Sequence, residues 1–197
     1  MNLPNQLTVS RIILSPVFMI LLLNESFWSR FAALLVFIIA SLTDLYDGYL
    51  ARKTGVITNF GKFMDPLADK LLVSMALISF IALGLDYIIA WMVVCIVARD
   101  FLITGLRTVA AYRGLVIPAS GAAKWKTALQ MVLIIVTQVH ILLQMAHVKF
   151  GTPLLLIGED AFEPVILGIL IVTTLQTLAT GVSYLLSNRA FIKRVMS

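Results

Sequence analysis

Six predominantly apolar stretches, each about as long as a bilayer-crossing helix, follow one another along this chain with only short polar breaks. A transmembrane helix needs roughly 20 apolar residues, and lipid offers no water to backbone groups left open, so such stretches are expected to be helical. The candidate spans are about Leu7–Leu23, Trp28–Arg52, Gly61–Leu83, Tyr87–Tyr112, Ala122–His147 and Pro164–Leu186. Ahead of the first stands Asn2-Leu3-Pro4-Asn5-Gln6, where Pro4 suits a helix start or a short interfacial segment. Pro66 is tolerable near the first turn of the third span. Residues 151–163 form the longest connection, with room for a short reentrant or surface turn. The expected fold is therefore all-α: a polytopic membrane protein of six transmembrane helices with a short N-terminal interfacial segment, forming one integral domain over residues 1–197. With 60% hydrophobic and 13% charged residues, an ordinary soluble globule is excluded. The run from Ile12 to Leu23 lacks a small-residue cleavage site and is followed by more spans, so it is not expected to be a signal peptide. The single cysteine, Cys95, lies inside an apolar run and is expected to be a small core residue, not part of a disulfide framework.

The cationic residues are distributed unevenly across these spans. Arg11, Arg52, Lys53, Lys62, Lys70, Arg99, Arg107, Arg113, Lys124, Lys126, Arg189, Lys193 and Arg194 fall on one side; Arg30 and Lys149 fall on the other. Because positive charge marks the cytoplasmic face, the first side, with both termini, is expected to face the cytoplasm. Acidic residues divide evenly and give no opposing signal. The net charge of +5 is thus explained by membrane topology and anionic lipid, contacted by Arg189, Lys193 and Arg194, and nucleic acid is not an expected partner. Trp28, Trp91 and Trp125 fall near the expected boundaries, as an aromatic belt would.

Against this background four carboxylates stand out. Asp44 and Asp47 are three residues apart at the end of the second span, and Asp65 and Asp69 are four apart at the start of the third. On helices each pair shares one face, one turn apart. If the second span ends at Arg52, Asp44 lies about 12 Å below that end, at 1.5 Å per residue. Four uncompensated carboxylates at that depth would each cost several kcal/mol or neutralise, and a bound cation resolves the conflict. The candidate ligands are all oxygens, with no His or Cys in either segment, which favours Mg²⁺ or Mn²⁺ over Zn²⁺. Four carboxylates carry enough charge for two divalent ions, an arrangement that can stabilise the attacking and leaving oxygens of an in-line phosphoryl displacement. The competing reading has these residues capping helices or pairing with Arg52, Lys53, Lys62 and Lys70; Asp65, just before Pro66, is well placed for a cap. Gly48, Ala51 and Gly61 leave the same faces nearly bare, with space for a ligand against the backbone.

The full pattern, D-x2-D-G-x2-A-R-x8-G-x3-D-x3-D over residues 44–69, resembles the signature of the CDP-alcohol phosphatidyltransferase family, with every fixed position filled. The resemblance implies that Asp44, Asp47 and Asp65 are metal ligands and that Asp69 divides its role between metal contact and general base. It implies that Gly48 and Ala51 line the cytidine pocket, that Arg52 meets the diphosphate, and that Asn5 and Gly61 belong to the same CDP-lipid site. The implied reaction is attack by an acceptor hydroxyl on the lipid-linked phosphorus of CDP-diacylglycerol, with CMP leaving. Homodimers are also implied.

Asn5, Thr8 and Arg11 near the start, and Arg99-Asp100, Arg107-Thr108, Ser120, Lys124 and Lys126 later, look like the branch of the family whose acceptor is glycerol 3-phosphate. Thr8, Arg107, Ser120, Lys124 and Lys126 are accordingly the expected acceptor-phosphate contacts, since cations beside apolar residues can converge on an anionic headgroup. Their alternative role is to snorkel to the interface as topology anchors, which is the reading preferred for Arg113. Other members of the family use inositol phosphate, serine or a second lipid as acceptor. A cation transporter is a rival of another class, because acids inside membranes often mark ion paths. Here the acids crowd one end of two helices, and no ionisable residue continues the path toward the far face. His140 and His147 fall on the far half of the fifth span and are expected to be structural or interfacial.

Overall fold

The computed structural model describes residues 3–54, 59–112, 121–151 and 162–189, with side chains described for 6–43, 64, 66–112, 125–151 and 162–189. These residues form six helices: α1 (Leu3–Leu23), α2 (Phe27–Thr54), α3 (Asn59–Ala82), α4 (Ala90–Tyr112), α5 (Gly121–Phe150) and α6 (Phe162–Ser187). Each coincides with one expected span. The short segment expected ahead of the first span is the first turn of α1 itself, where Pro4 lacks only an N–H that no helix would use. Because α3 begins at Asn59, Pro66 lies in its second turn instead of its first, and Asp65 sits inside the helix, away from the cap position. Residues 152–161, most of the longest connection, lie outside the described residues.

Two glycines set the helix ends on one side of the bundle. Gly84 has φ +67° and closes the turn after α3, its N–H bonded to the Ile81 carbonyl at 3.0 Å. Gly151 has φ +63° and ends α5, its N–H on the His147 carbonyl at 3.0 Å. Both adopt the left-handed conformation in which a side chain is strained, the usual device for stopping a helix. The turn after Gly84 holds Tyr87 and Ile88 inward, and α4 starts only at Ala90. Burial, and second the charge of Glu163, push the Tyr87 phenol up to about 12, so it stays neutral while packing edge-on against His140.

The helix α3 is central: it packs against α1, α4 and α5, while α1 also packs on α2, and α6 on α4 and α5. The apolar core is built from large side chains facing these contacts, among them Phe18, Leu22, Phe37, Leu77, Phe80, Ile96, Leu133, Ile134, Ile166 and Leu170. The polarity is otherwise that of a membrane bundle. Ile13, Ile20, Ile39, Val94, Leu102 and Leu175 point outward, while Thr8, Ser15, Ser79, Thr137, Thr173 and Thr177 are buried. An apolar outer surface of this extent belongs against lipid. Ser15, Ser79, Thr137 and Thr173 return their hydroxyls to the carbonyl four residues back, as Ser79 does to Met75 at 2.6 Å and Thr137 to Leu133 at 2.7 Å, so these need no water.

Among the described residues α1, α5 and α6 contain apolar stretches long enough to cross a membrane unaided by any other signal. The other three carry the charges that interest us: Asp44 and Asp47 on α2, Asp65, Asp69 and Lys70 on α3, and Arg99, Asp100 and Arg107 on α4. Trp28, Trp91 and Trp125 each lie near a helix start and are more than half exposed, as belt residues should be. His140 is buried between the rings of Tyr87 and Phe162, His147 is exposed, and Cys95 is half-buried and free.

Candidate active site

The four motif aspartates occupy matching depths on two consecutive helices. Asp44 stands ten residues before the end of α2 at Thr54, and Asp69 ten residues after the start of α3 at Asn59. Each is therefore about 15 Å from the shared turn, at 1.5 Å per residue. Asp47 and Asp65 are each one turn nearer to it. Since α1 packs against both helices, the four positions belong to one end of a three-helix layer. Thr8 and Arg11, both buried, are contributed to that layer by α1.

The side chains of Asp44, Asp47 and Asp65, and those of Asn5, Gly48, Ala51, Arg52 and Gly61, lie outside the described residues. Asp69 is described. Its carboxylate is about one-third exposed, and the Lys70 ammonium lies 2.7 Å from Oδ2. It is thus reachable from the open end of the bundle and carries a compensating charge beside it. The donor set as a whole fits a hard divalent cation: oxygen ligands only, in i,i+3 and i,i+4 pairs, on consecutive helices.

A second polar cluster joins Arg99, Asp100 and Lys126, which the sequence named separately without pairing them. Asp100 on α4 is 3% exposed. Its Oδ1 accepts hydrogen bonds from Lys126 Nζ on α5 and from Arg99 Nη1 at 3.3 Å, and its Oδ2 accepts from Gln130 Nε2 at 2.9 Å. Arg99 Nη2 donates to Thr180 Oγ1 on α6 at 3.1 Å, and that hydroxyl donates in turn to the Gln176 carbonyl at 2.7 Å. Gly181 makes room for this reach: a Cβ there would stand 3.0 Å from Arg99 Cγ. Lys70, the partner of Asp69, lies within electrostatic reach of both Asp100 and Lys126. The α4, α5 and α6 helices are thereby fastened together.

Of the expected acceptor-phosphate residues, the structure brings Lys126 into this cluster, buried and bonded to Asp100. Among the described residues one of its three ammonium hydrogens is committed, to Asp100. Arg107 is exposed two turns further along α4, outside the cluster but close enough to act electrostatically on Tyr184, as Arg99 does. Thr8 is on the α1 side of the bundle, with the aspartates. Ser120 and the Lys124 side chain lie outside the described residues, although Lys124 is in the first turn of α5. Sequence reasoning named Asp100 beside Arg99 in the branch resemblance but gave it no role, although it is an acid deep within a span. Such a residue needs a partner wherever it occurs, and Lys126, the one deep cation at the start of the next helix, was the available signal.

The model of the CDP-alcohol phosphatidyltransferase family matches residues 1–187. The chain is similar to the CDP-diacylglycerol--glycerol-3-phosphate 3-phosphatidyltransferase of Bacillus subtilis, 47% identical over 151 residues that cover 71% of this chain and 77% of that one. The protein of the same name from Rickettsia typhi is 43% identical over 66% of this chain and 72% of its own. That of Escherichia coli is 39% identical over 66% and 73%.

Proposed function

The chain belongs to the CDP-alcohol phosphatidyltransferase family, and on that premise we propose that it transfers the phosphatidyl group of CDP-diacylglycerol to sn-glycerol 3-phosphate. The products are phosphatidylglycerophosphate and CMP, a step of phospholipid biosynthesis. The observation that carries this reading is the unbroken motif of residues 44–69, set at equal depths on α2 and α3, in a chain whose relatives named for this reaction reach 47% identity.

In the mechanism that fits these residues, Asp69 takes the proton of an acceptor hydroxyl, and the hydroxyl oxygen attacks the phosphorus attached to the diacylglycerol. A new P–O bond forms, the bond to the CMP oxygen breaks, and the electron pair departs with CMP. Asp44, Asp47, Asp65 and Asp69 would hold two Mg²⁺ or Mn²⁺ ions, which when bound supply charge stabilisation for the attacking and leaving oxygens. Asn5, Gly48, Ala51, Arg52 and Gly61 bind the CDP-lipid, the small residues admitting the nucleotide against the backbone. Thr8, Arg107, Ser120, Lys124 and Lys126 receive the acceptor phosphate. The depth of the aspartates, about 9–15 Å from the helix ends, lets the acyl chains stay in lipid while the nucleotide faces water. The asymmetry of Lys and Arg supports an active site and both termini facing the cytoplasm, and the family resemblance supports a homodimer.

The test is CMP release by the purified protein in detergent, given CDP-diacylglycerol, Mg²⁺ or Mn²⁺, and glycerol 3-phosphate, serine or inositol phosphate in parallel. Release that requires glycerol 3-phosphate and stops on chelation of the metal is expected. Release with serine or inositol phosphate instead would assign a different acceptor to the same chemistry.

A further inference from the structure

We propose that Asp100 is the positioning residue of the acceptor site: its buried carboxylate holds Lys126, and with it Arg99, where the anionic group of the acceptor is received. The inference rests on the acceptor reading above and extends it to a residue outside the motif.

The charge balance of the cluster is the first reason. Among the described residues one carboxylate, Asp100, faces two cations, Arg99 and Lys126, at hydrogen-bonding distance. The neighbouring Lys70 already has Asp69. A positive excess buried in a low-dielectric bundle is costly unless a further anion joins it. A purely structural ion pair would be expected to balance.

The second reason is the donor geometry. Gln130 is fully buried, and its Nε2 is committed to Asp100, whereas its Oε1 has no partner among the described residues. The Lys126 ammonium uses one of its three hydrogens on Asp100. An acceptor bearing both a phosphate and a hydroxyl supplies what this set lacks, namely anionic oxygens for the ammonium and an O–H for the amide oxygen. Asp100 contributes no bond of its own to the ligand in this arrangement. It removes the freedom of a long flexible side chain, so that the cation need not be ordered when the acceptor arrives.

Position gives the third reason. Lys70, next to Asp69, stands on α3, and α4 and α5, which carry Asp100 and Lys126, both pack against that helix. The cluster therefore adjoins the carboxylate end of α3, where a hydroxyl of a short acceptor held by its phosphate would meet Asp69.

The experiment compares Asp100→Asn, Asp100→Glu and the double variant Asp100→Asn/Lys126→Met with the unaltered protein in detergent. Initial rates of CMP release give KM for each substrate, and thermal unfolding is measured in parallel. Asp100→Asn is expected to raise KM for glycerol 3-phosphate at least ten-fold while KM for CDP-diacylglycerol stays within two-fold, and Asp100→Glu to give an intermediate rise. The double variant, which removes the buried ammonium together with the carboxylate and leaves only the half-buried Arg99, is expected to regain part of the lost thermal stability but not acceptor KM. Equal changes in both KM values, or recovery of acceptor KM together with stability in the double variant, would overturn the inference by making the cluster structural only. Should Asp100→Asn fail to fold, Asp100→Glu and the double variant decide by the same criteria. If the unaltered protein requires serine or inositol phosphate instead of glycerol 3-phosphate, the acceptor reading falls and this inference with it. If the unaltered protein uses glycerol 3-phosphate but the variants shift both constants alike, this inference alone is lost.

Discussion

Asp69 and Arg107 differ in what the surrounding chain asks of them, and the difference sets the expected effect of removing each. Asp69 is half-buried and held at 2.7 Å by Lys70, so replacing it by Asn keeps the size and hydrogen-bonding capacity while losing the basic oxygen. Asp69→Asn is expected to lower turnover by about 10²–10⁴-fold, the range for loss of a positioned base, with CDP-diacylglycerol binding retained in a direct binding assay. Turnover unchanged in that variant would remove the base assignment. Arg107 is exposed and outside the Asp100 cluster, so Arg107→Ala has little packing to lose. It is expected to raise KM for the acceptor several-fold more than KM for the donor. An effect confined to the donor would move Arg107 to the CDP-lipid site.

At the scale of helices, the spans were legible because lipid demands a fixed apolar length, and α2 and α6 lie within about two residues of their expected bounds at either end. The departures have local causes. The helix α4 begins at Ala90 instead of Tyr87 because the turn after Gly84 folds Tyr87 and Ile88 inward, with the Ile88 N–H on the Leu85 carbonyl at 2.9 Å. The helix α5 runs on to Phe150 because its stop signal is Gly151, and the Lys149 ammonium lies over the rings of Phe27, Trp28 and Phe150, tying the last turn to the start of α2. The aspartate motif was legible because its spacing is local to two consecutive helices. The Asp100 cluster was not, since Lys126, Gln130 and Thr180 meet it from two other helices and no short-range pattern records those pairings. How tightly α6 depends on this cluster is testable at Gly181. Gly181→Val would place a branched side chain where even a Cβ lies 3.0 Å from Arg99 Cγ and 3.3 Å from its Nε. Displacement of Arg99 from Thr180 is expected to cost about 1–3 kcal/mol, as overpacking does, read as a lower unfolding temperature in detergent. An unaltered unfolding temperature would mean that Arg99 is free to swing aside.

For the whole molecule, the bundle places two ends in different chemical settings. One carries the α2–α3 turn, the motif aspartates and most of the cations; the other carries Gly84, Gly151, Arg30 and Lys149. If the first end faces the cytoplasm, a cysteine placed at Thr54 in a Cys95→Ala background is expected to react with an impermeant maleimide only after cells are opened. A cysteine at Glu25 is expected to react in intact spheroplasts. The opposite pattern would invert the topology and the side from which glycerol 3-phosphate arrives. The central claim, that α2 and α3 together gather divalent ions for phosphoryl transfer, is tested most directly by anomalous diffraction from a crystal soaked in Mn²⁺. Two manganese peaks bounded by the carboxylates of Asp44, Asp47, Asp65 and Asp69 are the expected result. A map with no peak between those helices, and the four carboxylates turned away from one another, would contradict it.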